Sequence, residues 1–226
     1  FQTWDKAPAY MNGTLAYGTE PSEALVPYPE TYDIKVQEYN TDRSSTTNTI
    51  RPYIKIINTG EQPVELEDIT VRYYYTIDNE WDQNYVCDWA AVDNSNNFST
   101  SNVKASFIEV SPGTDDADHY MEIGFKSNSG VLGIGGSILL QGRFYKTSWQ
   151  NYTQTDDYSF NAGATDYVDW EWVPGYINGV LVWGIDPFNQ GISLSPPSGL
   201  QAQPDDGGID LNWTAADGAA EYIVKR

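Results

Sequence analysis

Short segments in which apolar and polar residues alternate run through most of the chain. In YDIKVQEY, Ile34 and Val36 fall on one side of an extended segment, with Lys35 and Gln37 on the other. This period of two is typical of a half-buried strand. Similar segments recur as IRPYIKIIN, ITVRYYYTI, VKASFIEV, HYMEIGF, SILLQGRFY and GVLVWG, and no segment shows a sustained helical period. With turn-rich loops between them, these strands predict an all-β sandwich or barrel.

The two ends of the chain differ from this middle part. Residues 1–30 hold scattered aromatic residues, glycine and several prolines, and predict a linker or strap. Residues 188–197 predict a second linker. In residues 198–226, the Pro-Ser-x-Leu start, Leu211-x-Trp213 and Tyr222-x-Val224 resemble the first strands of a fibronectin type III domain. Such a domain needs about 100 residues, so we expect a truncated start of a partial second β-domain.

Composition and charge narrow the choice of ligand. The 226 residues carry 32 acidic and 12 basic side chains, a net charge of −20. Nucleic acids and anionic membranes attract positive surfaces, so neither is an expected partner. The 17 tyrosines and 8 tryptophans give the chain many rings with a polar edge. A neutral partner such as a polysaccharide and a divalent cation fit this composition.

Five residues make a candidate cation site. In TVRYYYTID, Thr76 and Asp78 share one face at the end of a strand, because side chains alternate. NYTQTDDYSF then supplies Thr153, Asp156 and Asp157 from a turn. Calcium prefers six to eight oxygen ligands that mix carboxylates with carbonyls and water. The alternative is that the aspartates only form turns and cap a hairpin.

A second group of residues forms a candidate binding strip. Asp88 and Trp89 precede a polar loop that carries Phe98, while Arg143 and Tyr145 share a strand face before Trp149. Aromatic rings can stack on the apolar faces of sugar rings, and Asp88 with Arg143 can form a planar ion pair in line with them. The alternative is that Trp89 and Trp149 are core residues.

Together these segments resemble carbohydrate-binding modules of family 3, the cellulose-binding modules of clostridial scaffoldins and bacterial cellulases. The matching text includes NTGEQPVELEDITVRYYYTID, CDWAA, SNVKASF, QGRFYKTSWQNYTQTDDYSF and NGVLVWG. The resemblance covers residues 31–187. It implies a nine-stranded jelly-roll β-sandwich that binds crystalline cellulose without catalysis and holds a structural calcium ion. It also implies a secreted bacterial protein in which the module is covalently linked to other domains.

The resemblance also assigns residues to these two roles. The family's strip falls on Asp88, Trp89, Phe98, Arg143 and Trp149, and Gln141 matches a polar anchoring residue. Its calcium ligands fall on Thr76, Asp78, Thr153, Asp156 and Asp157. Scaffoldin members have His at Trp89, Tyr at Phe98 and Asn at Asp156. The two ring changes preserve stacking, and Asp156 adds a negative charge to the cation site.

Two other functions remain open at this point. A glycoside hydrolase needs a pair of carboxylates, and Asp115 with Asp116 or Asp156 with Asp157 are the available pairs. Adjacent aspartates are more often turn residues. The other alternative is a polysaccharide-sensing or enzyme-assisting accessory module that does not grip a crystalline surface.

Overall fold

The computed structural model describes residues 9–11, 14–17, 32–93, 98–188, 198–205 and 208–214. The chain divides into two compact units, residues 1–184 and 185–226. Within the described residues, the regular structure is β-strand with three short 3₁₀ turns, at Leu66–Asp68, Thr100–Asn102 and Gln154–Asp156. None of these helical turns is long and apolar enough to cross a membrane.

The strands follow one another along the sequence with short loops between them. They are β1 (Ala9–Met11), β2 (Thr14–Tyr17), β3 (Ile34–Asn40), β4 (Thr46–Thr47), β5 (Pro52–Asn58), β6 (Val64–Glu65), β7 (Ile69–Tyr75), β8 (Gln83–Val92), β9 (Val103–Glu109), β10 (His119–Phe125), β11 (Val131–Leu132), β12 (Ser137–Lys146), β13 (Tyr152–Thr153), β14 (Val168–Asp169), β15 (Gly175–Ile177), β16 (Val180–Trp183), β17 (Ser198–Asp205) and β18 (Gly208–Thr214).

Two antiparallel five-stranded sheets form the main body of the first unit, and β1 with β2, β4 with β13 and β6 with β11 form three two-stranded ones. One sheet has the order β14-β3-β5-β12-β8 and the other the order β16-β15-β7-β10-β9. The all-β sandwich expected from the alternating pattern is therefore confirmed. The two sheets contain ten strands where nine were expected. The short strands β14 and β15 lie in a turn-rich segment with no alternating pattern, so strand counting from sequence is uncertain there.

The core lies between the inward faces of the two sheets. The inward residues of β3 and β5 alternate with half-buried outward residues along each strand, as a two-layer sandwich requires. Large aromatic side chains fill one end of this core. Tyr75 and Phe144 have ring centroids 5.0 Å apart, and Tyr75 and Tyr152 both donate hydroxyl hydrogen bonds to Oε1 of Gln83. Their rings are thus buried without leaving these hydroxyls unpaired.

One acidic residue lies inside this core. Glu38 alternates onto the inward face of β3 and is fully buried, and neither carboxylate oxygen has a hydrogen-bond partner among the described residues. Burial raises the pKa of Glu38 well above its ordinary value, and the neighbouring Asn161 amide opposes only part of this effect. The carboxyl group therefore favours its neutral form in the folded protein.

Each end of the chain contributes a hairpin. Near the N-terminus β1 pairs with β2, inside the segment expected to be a linker or strap. In the second unit β17 pairs with β18, and Leu211 and Trp213 lie on β18. The third expected strand, around Tyr222 and Val224, lies outside the described residues. The assignment of residues 198–226 to a fibronectin type III start stays a prediction.

Candidate functional site

A β-bulge in β8 shapes the first part of the strip. Trp89 pairs with Gln141 of β12 and Cys87 pairs with Gly142, so Asp88 is an extra residue without a partner opposite it. A bulge of this kind interrupts the regular alternation of side chains. As a result, Asp88 and Trp89 are both exposed although they are adjacent in sequence. The Trp89 side chain is 45% exposed, which excludes the alternative of a core residue.

The charged pair of the strip is formed as expected. Arg143 Nη2 lies 3.1 Å from Asp88 Oδ1, and both side chains are about one-third exposed. Arg143 shares the outward face of β12 with Gln141 and Tyr145, while Gly142, Phe144 and Lys146 point inward. The pair therefore lies on the outer face of the sheet, beside Trp89.

Trp149 extends this face beyond the end of β12. Its backbone has φ of 59°, a left-handed conformation that is uncommon for a bulky residue. Its amide donates to the carbonyl of Lys146 at 3.0 Å, which closes the turn. The indole lies parallel to the ring of Tyr145, with centroids 4.7 Å apart and planes 11° apart. With 58% of its surface exposed, Trp149 is not a core residue. Non-glycine residues held in such strained conformations are often functional.

The exposed ring expected at Phe98 is absent from this surface. Phe98 is only 9% exposed and packs edge-to-face on Phe125, with ring centroids 5.9 Å apart. The residue that follows, Ser99, precedes the 3₁₀ turn Thr100–Asn102 as its N-cap, and its amide donates to Oδ1 of Asn102 at 3.0 Å. A phenyl ring has no hydroxyl to keep in water, and its burial stabilises the fold by roughly 1.5–3 kcal/mol. The expectation of an exposed Phe98 is wrong for this physical reason.

Gly142 allows the strand beneath the strip to pack closely. A Cβ atom at this position would collide with the hydroxyl and ring carbons of Tyr85, whose ring lies against the strand. Gly142 lies between Gln141 and Arg143, two residues assigned to the binding face. The absence of a side chain here leaves room for the Tyr85 ring against the strand. Gln141 is half-buried on the outer face, next to Trp89.

The five residues of the candidate cation site come together in part. The Asp157 carboxylate accepts hydrogen bonds at Oδ1 from the Thr76 amide, at 2.8 Å, and from the Thr76 hydroxyl, at 3.1 Å. Asp78 has φ of 61°, and its Oδ2 accepts from the Thr153 amide at 2.7 Å. Asp156 is exposed at the end of the 3₁₀ turn that joins Thr153 to Asp157. The structure thus links strand β7 to the turn after β13.

The electrostatics of this site favour a cation. Burial, and secondarily the charges of Asp156 and Asp78, raise the pKa of Asp157 to about 8, while the hydrogen bonds from Thr76 oppose this shift. The second oxygen of Asp157 is buried without a hydrogen-bond partner in the described part of the chain. A buried carboxylate beside two others is destabilised unless a positive charge is close. The buried Lys146 ammonium group nearby supplies part of that charge.

The donor set of the candidate cation site fits calcium through its mixture of oxygens. Among the described residues, no three His, Cys, Asp or Glu side chains are close enough to form a metal site by themselves. Calcium accepts backbone carbonyls and water beside carboxylates, so an ion at this site would also need oxygens of Thr76 and Thr153.

The two aspartate pairs considered for hydrolysis lie in neighbouring loops. The Tyr158 amide donates to the Asp116 carbonyl at 2.9 Å, and Asp116, Asp156 and Asp157 line one small open cleft. The free oxygen of Asp157 is inaccessible to solvent, and Asp116 Oδ1 accepts from the Thr114 hydroxyl at 2.6 Å. The Asp156–Asp157 pair thus does not present two free carboxylates to a substrate.

Comparison with known proteins identifies the family to which this sandwich belongs. The model of the family "Cellulose binding domain" (CBM_3) matches residues 35–184. The chain is a family 3 carbohydrate-binding module. This match covers the whole of the strip and the candidate cation site. Carbohydrate binding, and not catalysis, is the activity of the module, and its fold is the jelly-roll sandwich of this family.

Relatives of this family 3 module occur in larger proteins of several kinds. One relative is a "Cellulosomal-scaffolding protein A" of Acetivibrio thermocellus. The two are 45% identical over 168 residues, and the matched region covers 73% of this chain and 9% of that protein. Another relative is a "Xyloglucanase" of a Paenibacillus species. The two are 46% identical over 162 residues, and the matched region covers 72% of this chain and 15% of that protein. The chain therefore spans only a small part of these relatives.

Among solved structures, the family 3 module is similar to a biomass-sensing module from an RsgI-like protein of Clostridium thermocellum. The identity is 43% and the TM-score 0.65, covering 70% of this chain and all of that one. Modules of this fold therefore occur in sensing proteins as well as in scaffolds and enzymes.

Proposed function

We propose that this module binds crystalline cellulose, without catalysis, through the strip of Asp88, Trp89, Arg143 and Trp149. The observation that supports this most directly is the exposure of two tryptophans on the outer face of one sheet, on either side of an Asp–Arg ion pair. Each ring contributes roughly 1–3 kcal/mol if it stacks on sugar as aromatic side chains do on nucleobases. Since sugars are neutral and stacking is not screened, binding depends little on salt.

We also propose the setting in which the strip works. The module anchors a larger secreted bacterial enzyme or scaffold to plant cell-wall polysaccharide, as its similarity to scaffolding and xyloglucanase proteins supports. A calcium ion bound by Thr76, Asp78, Thr153, Asp156 and Asp157 stabilises the fold. The hairpin of β17 and β18 is consistent with the start of a fibronectin type III domain.

A pull-down on microcrystalline cellulose tests the binding role. The double variant Trp89→Ala/Trp149→Ala is expected to remain in the supernatant, while the wild type moves to the pellet. Val180→Ala is the matched control, because Val180 is an exposed apolar residue on the other sheet. Equal adsorption of the wild type and the double variant would show that the strip does not bind cellulose. Loss of binding at moderate salt would contradict stacking on a neutral surface.

A second candidate function is a sensing or enzyme-assisting module that does not grip the crystalline surface. The similarity to the biomass-sensing module favours it. Binding to soluble or amorphous polysaccharide with no adsorption to the crystalline form would favour this role over anchoring.

A further inference from the structure

Three tyrosines lie on the same outer sheet face as the strip, to one side of it. Tyr53 of β5 pairs directly with Gln141 of β12, which in turn pairs with Trp89 of β8. On the other side Tyr53 pairs with Tyr39 of β3. Residues that pair across antiparallel strands point to the same face. A single row therefore runs across four strands from Trp89 to Tyr39.

The rings at the far end of this row form a connected group. Tyr39 and Tyr53 pack edge-to-face with centroids 5.4 Å apart, and Tyr39 and Tyr167 do so at 5.0 Å. All three side chains are only partly buried, so each retains surface in contact with solvent. We call Tyr39, Tyr53 and Tyr167 the tyrosine group. Adjacent strands lie about 4.8 Å apart, so Tyr53 is roughly 10 Å to the side of Trp89.

The direction of this row decides what it can contact. The strip runs along β8 and β12, from Trp149 past Arg143 and Asp88 to Trp89. The tyrosine group lies beside that line and not in it, so a single chain lying on the strip does not reach it. The side chains between the two, Gln141 and Tyr53, are uncharged. Gln141 and Tyr53 offer polar and aromatic contacts that suit a second neutral sugar chain, with Lys55 on the same face of β5 and Asp166 near Tyr39 and Tyr167 as the neighbouring charges.

We propose that Tyr53, supported by Tyr39 and Tyr167, contacts a second chain of the same ordered β-glucan surface, parallel to the chain on the strip. This inference rests on the proposed function. The packing of Tyr39 between the two other rings fixes the position of Tyr53, and Gln141 joins the two contact lines into one continuous face. The module thereby selects for chains held side by side, as in a crystal, over isolated chains.

Adsorption isotherms on microcrystalline cellulose test the tyrosine group. Tyr53→Gln removes the ring, Tyr53→Leu removes it while preserving apolar contact with Tyr39, and Tyr53→Phe retains it. We expect the first two to weaken binding roughly 5- to 150-fold, as expected for the loss of one stacking ring, and Tyr53→Phe to bind nearly as the wild type does. Val180→Ala is again the control. Melting temperatures show which variants remain folded. If Tyr53→Gln does not fold, Tyr53→Leu provides the test.

The same isotherms on regenerated amorphous cellulose separate this inference from the proposed function. Loss of the ring at Tyr53 should matter much less there, because neighbouring chains are not parallel. If Trp89→Ala/Trp149→Ala abolishes binding but Tyr53→Leu binds crystalline cellulose like the wild type, the proposal of a second contact at Tyr53 is wrong. The proposed binding role of the strip is then retained. An equal loss on both materials also overturns it. If the wild type adsorbs to neither material, both proposals are wrong.

Discussion

The indole of Trp149 rests on the phenol ring of Tyr145, with planes 11° apart and centroids 4.7 Å apart. Tyr145 thus holds an exposed ring that a strained turn would otherwise leave without support. We expect Tyr145→Ala to weaken adsorption to crystalline cellulose several-fold, although Tyr145 lies beneath Trp149. Tyr145→Phe should restore affinity, since it preserves the stacked ring. Wild-type affinity in Tyr145→Ala, measured by adsorption isotherms, would show that the Trp149 turn is rigid by itself.

The ion pair of Asp88 with Arg143 should matter for binding more than for stability. Exposed pairs contribute roughly 0–1 kcal/mol to folding, so Arg143→Lys should change the free energy of unfolding by less than about 1 kcal/mol. Lysine lacks the planar guanidinium group whose Nη2 contacts Asp88 Oδ1, and adsorption to cellulose should fall. Urea denaturation and adsorption isotherms measure the two effects. A large loss of stability with unchanged adsorption would reverse this assignment.

Removal of calcium should lower the melting temperature. A ligand that only the folded state binds stabilises it by about 2.7 kcal/mol at a concentration 100 times its dissociation constant. For a domain of this size, that corresponds to a shift of roughly 5–10 °C on exhaustive chelation. Differential scanning calorimetry with and without added calcium measures the shift.

The variant Asp157→Asn is the control for chelation. It removes a proposed ligand charge from a buried position, so its melting temperature should respond little to chelator. A wild-type melting curve that is the same with and without calcium argues against a bound ion. A variant that responds as strongly as the wild type argues against Asp157 as a ligand.

Glu38 should make stability depend on pH. Because its pKa is raised in the folded state, the folded protein binds this proton more tightly than the unfolded chain does. The stabilisation is complete below the ordinary pKa of 4.5 and is lost as pH rises towards the folded value. At neutral pH, Glu38→Gln and Glu38→Leu should therefore increase the free energy of unfolding, by on the order of 2 kcal/mol.

Urea denaturation at several pH values checks this prediction. The difference between Glu38→Gln and the wild type should shrink as pH falls towards 4. Glu61→Gln is the control, because Glu61 is an exposed carboxylate. A difference that is constant with pH would mean that Glu38 does not titrate in the folded protein as described.

Gly142 and Tyr85 should be coupled. Gly142→Ala places a methyl group against the Tyr85 ring, and overpacking of this kind costs about 1–3 kcal/mol. Tyr85→Leu vacates part of that space, so the double variant should lose less stability than the sum of the single variants. Urea denaturation of the wild type, the two single variants and the double variant provides a double-mutant cycle. Simple additivity would show that the strand relieves the clash by shifting.

The sequence predicted the regular part of the site well. Alternation along SILLQGRFY correctly placed Arg143 and Tyr145 on one face, and the Asp88–Arg143 pair formed at the expected position. The same alternation also places Glu38 on the inward face with Ile34 and Val36. That signal is present in YDIKVQEY, and it predicts a buried carboxyl group at Glu38.

The irregular part of the site could not be predicted in this way. Phe98 follows a polar stretch of sequence in which no period predicts the direction of a side chain, and its burial depends on contact with Phe125, 27 positions later. The tyrosine group is likewise formed by pairing between β3 and β5 and by a loop residue next to β14. Strand order, which a single sequence does not specify, brings these rings together.

The bulge at Asp88 has a consequence for how such a surface can vary. Cys87 and Trp89 pair with consecutive residues of β12, so the sheet would remain in register if Asp88 were deleted. Asp88, which carries the carboxylate paired with Arg143, is therefore one residue more than a regular ladder would hold. The negative charge of the proposed binding surface can thus be added or removed without shifting Trp89 from its partner Gln141.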